Sequence, residues 1–429
     1  MATGVAQAAV AAAVDAAAED PTLIEQTTLA SGLRIVTERM PEARSVSVGC
    51  WVVIGSRDEP VELQGASHFL EHLLFKGTGT RNAQQIAEAV DAVGGEMNAF
   101  TAKEHTAYYT RLPAAHLAMG LDLLADVVTD PTLRPDEIDA ERQVILEELH
   151  LSEDEPDERV HTLVHEAMFP DHPLGREVLG TVDTIEAMDR QDIADFFAAH
   201  YRPTNLVMVA AGDLRHEDVV DTLADRFEDV SAAPAIERKP PSVGAEPLAV
   251  LRRDTEQAHL ALAWPAFSQH DGDRYALAVL NQVLGGGLSS RLFQEIRERR
   301  GLAYSVYSYS ALYEDAGVLV TYAGTGPERV GEVRALIEAE IDALRAQGIT
   351  DHELVVAKGY LEGSLVLGLE DSGSRMGRLG SNMVARGELT DLDRHLEKIR
   401  AVDLDDVSKV IARVLDALGT ICAVGPVDL

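Results

Sequence analysis

The chain has 429 residues, 46% of them hydrophobic and 25% charged, enough for two or three domains with sizeable cores. Its formal net charge of −35 is spread along the chain; it disfavours nucleic acid and anionic membrane surfaces as partners and steers basic peptides toward the protein. No apolar run reaches the roughly 18–20 residues of a membrane span, and the two cysteines, Cys50 and Cys422, sit in apolar strand-like runs as small core residues, consistent with a reducing compartment.

In chain order, the first eighteen residues are rich in Ala and Val, yet the first basic residue is Arg34, and Gln7 and Asp15 interrupt the run. Signal and transit peptides need early positive charge, so residues 1–26 are expected to form a flexible tail on a cytoplasmic protein, with order beginning near Thr27. Strands are predicted at Leu33–Glu38 and Ser45–Ile54. The run His68-Phe-Leu-Glu-His72 follows, and Phe69, Leu70, Leu73, Leu74 and Phe75 mark it as a buried helix that stops at Gly77. On a helix His68 and His72 project from one face with Glu71 beside them. Two imidazoles plus one acid from elsewhere make a catalytic zinc set with a position left for water, and Glu71 is then free to act as base. This H-x-x-E-H order is the inverted zincin signature.

A second helix is predicted at Ala83–Val93, then strands at Glu96–Thr101 and His105–Leu112, a helical run at Asp136–Leu151 carrying Glu141, Glu147 and Glu148, and a closing strand at Leu206–Ala211. The second half repeats that order: His68 falls on Leu277, His72 on Asn281 and Glu148 on Ser364, so it keeps the frame without the ligands. Proline-rich residues 231–247 read as a linker. The expected organisation is a tail at 1–26, a catalytic zinc domain at 27–230, the linker, and a C-terminal homologous domain at 248–429. Both domains are expected to be α+β, each a largely antiparallel sheet flanked by helices. The glycine runs at 284–290 and 324–326 lack the setting of a phosphate loop, so nucleotide binding is not supported. His161 and His165, four apart, read as a surface pair.

Along nearly its whole length the chain resembles the pitrilysin family of metallopeptidases (M16, inverzincins), closest to the mitochondrial processing peptidase branch and its bacterial members. The resemblance implies a LuxS/MPP-like metallohydrolase fold used twice, forming a clamshell chamber for short or unfolded peptides, and one Zn2+ per chain. In that family the third ligand is a Glu lying 76 positions after the second His, which selects Glu148 over Glu147. Glu141, two helical turns before Glu148 on the same face, then stands behind the ligands. An Arg and a Tyr seven apart, matched by Arg297 and Tyr304, come to the family's active site, where Tyr304 would donate to the developing oxyanion and Arg297 would hold a substrate carbonyl. The run Gly94–Thr101 resembles an edge strand on which Asn98 and the backbone of Ala99 and Phe100 pair with an extended peptide. The implied protein is a zinc metalloendopeptidase, working as a homodimer or beside a related subunit. Some relatives are non-catalytic, substrate-guiding subunits of heterodimeric processing peptidases; the full set of ligands with Glu71, Arg297 and Tyr304 favours the enzyme.

Overall fold

The computed structural model describes residues 23–227, 233–234, 236–242, 245–417 and 419–427; most of the expected tail and part of the expected linker lie outside them. The first half runs β1 (Ile24–Thr28), β2 (Arg34–Arg39), β3 (Ser45–Val52), α1 (Ala66–Leu73), α2 (Ala83–Asp91), β4 (Glu96–Thr101), β5 (Thr106–Pro113), α3 (Leu117–Thr129), α4 (Pro135–Asp154), α5 (Pro156–Met168), α6 (Val182–Ala187), α7 (Arg190–His200), β6 (Leu206–Gly212) and α8 (His216–Ala224). The second half runs β7 (Leu248–Arg252), β8 (Ala258–Ala266), α9 (Arg274–Leu284), β9 (Ala303–Leu312), β10 (Gly317–Thr325), α10 (Val330–Gln347), α11 (Asp351–Gly368), α12 (Ser372–Arg386), α13 (Leu392–Ala401), α14 (Leu404–Leu415) and β11 (Thr420–Gly425). The strand β1 thus starts at Ile24, inside the stretch assigned to the tail. The tight turn closed by Gly32 N–H to the Leu29 carbonyl brings β1 back onto β2, which satisfies its backbone groups.

The sheets are β1-β2-β6-β3-β5-β4 and β7-β11-β8-β10-β9. Apart from β1 they share one plan: β2 is parallel to β6 as β7 is to β11, and every other neighbouring pair is antiparallel. The α+β expectation and the internal repeat hold, and each sheet is largely antiparallel as expected, mixed only by its one parallel pair. The repeat extends to the helices, since α9, carrying Leu277 and Asn281, packs on α11 as α1 packs on α4. No helix among the described residues is long and apolar enough to cross a membrane.

Strand alternation sends Val46, Val48, Cys50 and Val52 of β3 into a core with α1 and α3, and sends Trp51 to the opposite face. That opposite face is covered by α12, which comes from the second half: Met376, Leu379 and Met383 pack on Val36, Trp51, Val207 and Val209. The reverse also occurs, with Val160, Val164 and Met168 of α5 packing on Ala261, Val318, Val320 and Cys422 of the second sheet. Each half thus lends a helix to the other, so the two are joined by far more than residues 231–247. His161 and His165 are corrected accordingly: they line this contact, His161 bonding the Tyr307 and Tyr309 hydroxyls and His165 the Tyr313 hydroxyl at 2.8–2.9 Å.

The tightest point of the exchange is the Trp51 indole, where a Cβ on Gly380 of α12 would lie 2.3 Å from the ring. Overpacking of this kind costs about 1–3 kcal/mol. Gly380→Val should lower the unfolding free energy by about that amount in urea titrations followed by tryptophan fluorescence, whereas a change within ~0.5 kcal/mol, the range of surface substitutions, would contradict the packing.

Candidate active site

Helix α1 starts at Gly65, whose φ of +92° and close neighbours, with the Leu179 carbonyl 2.7 Å from a would-be Cβ, exclude other residues. Its first amides are capped from a distance: Gly65 N–H and Ser67 N–H donate to the buried Glu59 carboxylate at 2.8 and 2.7 Å. Burial pushes the Glu59 carboxyl up to about 7 although these amides favour its charged form. Phe69, Leu70 and Leu73 are buried, which turns His68, Glu71 and His72 toward α4 and β4.

There His68 Nε2 and His72 Nε2 each lie 3.6 Å from Glu148 Oε2, and the three ligand atoms fall within 4.8 Å of one another. Donors on a common zinc at about 2.1 Å would stand about 3.4 Å apart at the corners of a tetrahedron, so the set fits the ion. His72 Nδ1 bonds Glu141 Oε2 at 3.1 Å, and Lys76 Nζ bonds Glu141 Oε1 at 2.7 Å. This fixes the ring and leaves Nε2 for a metal. His68 has no such support, since its buried Nδ1 lacks a partner among the described residues. Burial, followed by the nearby His72, lowers the His68 pKa to about 4, which keeps it neutral and able to ligate. For His72, burial is outweighed by Glu148 and Glu141, which raise its pKa, so a metal there competes with a proton. The His72 hydrogen bond in turn lowers the Glu148 pKa.

Glu71 stands at the same pocket, its Oε2 accepting a 2.6 Å hydrogen bond from Thr101 Oγ1 at the end of β4. Burial raises its pKa, opposed by that hydroxyl. Phe100, Thr101, Leu151, Glu155, Glu158 and Glu177 line the pocket beside His68, Glu71 and Glu148. β4 is an edge strand, as expected, and the Asn98 Oδ1 accepts the Ala99 N–H at 2.8 Å. Glu59 and Thr101 were not legible as site residues; Glu59 lies in an aperiodic loop, and Thr101 acts only through the pairing that sets β4 beside α1.

Arg297 and Tyr304 are brought to each other and not to this pocket. Arg297 follows Phe293 in a π-helical turn, its guanidinium lies 4.6 Å from the centre of the Tyr304 ring, and its Nη1 donates to the Tyr304 carbonyl at 2.8 Å. Tyr304 is 80% exposed.

Comparison with known proteins agrees with this geometry. Residues 34–182 match the family model "Insulinase (Peptidase family M16)" and residues 187–361 match "Peptidase M16 inactive domain". An uncharacterized zinc protease of Streptomyces coelicolor is 46% identical over 411 residues, which is 94% of this chain and 90% of the relative. The chain belongs to peptidase family M16. A second relative, an uncharacterized zinc protease of Bacillus subtilis, is 39% identical over 90% of this M16 chain and 94% of its own length. The crystal structure of a protease from Helicobacter pylori superposes with a TM-score of 0.88 at 26% identity, covering 94% of this M16 chain and 99% of that one. The M16 peptidase from Pseudomonas fluorescens, described as an inactive domain, shares the fold at 21% identity and a TM-score of 0.87.

If the three side chains hold the metal, purified protein should contain one zinc per chain and His72→Ala should contain almost none. Glu141→Gln should keep the ligands but weaken zinc about 10–100-fold in competition with a chelator, the usual cost of losing a ligand's orienting partner. Equal zinc in wild type and His72→Ala would refute the site.

Proposed function

We propose that the protein is a zinc-dependent endopeptidase that cleaves short or unfolded peptides laid along β4, with His68, His72 and Glu148 as ligands and Glu71 as general base. The observation that carries this reading is the convergence of the ligand set, an acid held by a neighbouring hydroxyl, and an open sheet edge at one pocket. Zinc, when bound, supplies Lewis acidity that polarises a scissile carbonyl and acidifies water. Glu71 takes the proton of the attacking water on its carboxylate and passes it to the leaving amine. Thr101 holds that carboxylate in place, and its short hydrogen bond keeps Glu71 from swinging onto the histidines. An extended peptide pairs with β4 backbone and so is read with little regard to sequence; pairing at Ala99 displaces the Asn98 oxygen. Glu155, Glu158 and Glu177 favour basic side chains beside the scissile bond.

Arg297 and Tyr304 are assigned to the oxyanion, and the fold supports their service to a second copy of the chain. The far end of β9 is seated against the loop before α1, with Glu314 and Asp315 on Arg238 and Arg57. At about 3.3 Å per residue, Tyr304 at the near end lies roughly 30 Å along the strand from that seat. Two copies facing each other would set the exposed pair of one over the zinc pocket of the other and enclose a chamber.

Glu71→Gln should retain zinc and fold yet lose about 10²–10⁴ in turnover, because an amide cannot accept the water proton. Near-wild-type cleavage of a peptide by this variant would remove Glu71 as base.

Tyr304→Phe should lose about 10²–10³ in turnover with little change in KM. Co-expression of Glu71→Gln with Tyr304→Phe chains should recover activity, up to roughly a quarter of wild type for random pairing in a two-fold dimer, because one site per mixed dimer is whole. No recovery, with mixed dimers demonstrated by differently tagged chains, would place Tyr304 in its own chain's site or outside catalysis.

A further inference from the structure

The loop before the zinc helix holds three consecutive charged residues: Arg57 and Glu59 are buried, and the side chain of Asp58 is covered beneath Arg238. None belongs to the ligand set or lines the zinc pocket. Each engages a different part of the molecule. Arg57 donates to Glu104 Oε1 at 2.6 Å, to the Lys239 carbonyl at 2.9 Å, and to Asp315 Oδ2 at 2.7 Å in the β9–β10 turn. Asp58 takes both the Nε and an Nη of Arg238 at 2.8 Å. Glu59 caps the zinc helix through Gly65 and Ser67. The turn from the second half closes the circuit, because Glu314 N–H donates to the Glu104 carboxylate and Glu314 Oε2 accepts from Arg238.

Buried charges of this kind carry a large desolvation cost, which close pairing roughly cancels, so the network adds little net stability. Its geometric consequence is larger. Arg57 is satisfied only when the Glu314–Asp315 turn is seated, and its backbone is tied to the β4–β5 loop by Ser56 and Arg57 N–H bonds to the Ala102 and Lys103 carbonyls. Two residues on, Glu59 has no freedom to leave the helix end: its own carbonyl accepts from Arg176, and its carboxylate has two backbone donors converging on it. A shift of this loop moves the cap, and with it the first turn of α1, which carries His68. Among the described residues His68 has no orienting partner on Nδ1, so the helix backbone is what aims its Nε2.

We infer that Glu59 is a positioning residue for the zinc helix, and that Arg57 and Asp58 couple it to the docked turn Glu314–Asp315 of the second half, so that seating of the second half holds His68 in its ligating pose. This inference rests on the zinc reading above. It makes the second half, which lacks ligands, a determinant of metal retention.

The test uses the full chain with zinc alone as probe, comparing wild type, Asp315→Asn and Glu59→Gln. Glu59→Gln keeps the shape but can accept only one of the two amide hydrogen bonds. Asp315→Asn removes the charge on the turn and leaves Arg57 its Glu104 and Lys239 partners, so it remains folded and decides the matter if Glu59→Gln does not. Two quantities are read: amide hydrogen exchange over residues 66–75 in metal-free protein, and the rate of zinc transfer to a chromogenic chelator. Both should rise about tenfold in each variant, the order of one charge-assisted hydrogen bond, while exchange in β2 and β3 stays at the wild-type level. Increases confined to residues 303–325 in Asp315→Asn, with zinc transfer unchanged, would overturn the coupling. Wild type that binds no zinc would instead fail the metal assignment, so the two failures are distinct.

Discussion

Each of the two sheets has an apolar face on both sides, and its own half supplies helices for only one. The other face is buried by a helix from the opposite half, α12 on the first sheet and α5 on the second. Met376, Leu379 and Met383 alone contribute roughly 1.5–3 kcal/mol each on burial. The buried Glu38, which meets Arg375 and Arg378 at the same contact, comes close to break-even. Apolar burial therefore drives the exchange, and the ion pairs set its register. Once the helices are exchanged the halves cannot rotate freely, the β9–β10 turn is seated on Arg57 and Arg238, and Tyr304 stands at the end of β9 away from that seat. Both proposals, the preorganisation of the metal helix by the second half and the service of Tyr304 to a facing copy, rest on that one constraint.

The electrostatics of the pocket suit a metal more than a proton relay. His68 is kept neutral by burial, His72 is oriented by Glu141 and held toward its protonated form by two carboxylates, and Glu148 is the accessible acid that completes the set. A divalent cation held by His68, His72 and Glu148 would compete with a proton for His72 and would offset the mutual repulsion of Glu71 and Glu148. The acidic wall beyond, Glu155, Glu158 and Glu177, is the local expression of a chain with a net charge of −35.

Much of this was legible in the sequence. The helix that sets His68 and His72 on one face was, because their spacing and the helical period coincide, and so was the repeat, because the second half keeps the order of strands and helices while placing Leu277 and Asn281 where the histidines stand. Singling out Glu148 needed a family resemblance, since Glu147 is equally acidic. The exchange of helices was not legible. The stripe Met376, Leu379, Met383 marks an amphipathic helix, but periodicity says which face is apolar and not which sheet will cover it. For the same reason His161 and His165 read as a surface pair, their tyrosine partners being about 150 residues away. Glu59 escaped because α1 is capped by a residue outside the cap position, which Gly65 occupies.

The central claim is that zinc sits on His68, His72 and Glu148. Anomalous diffraction from crystals of the purified full chain, recorded on both sides of the zinc absorption edge, tests it most directly. The account predicts one strong edge-dependent peak per chain, about 2.0–2.2 Å from His68 Nε2, His72 Nε2 and a Glu148 oxygen. A peak elsewhere, or none at this triad in zinc-replete protein, would contradict it.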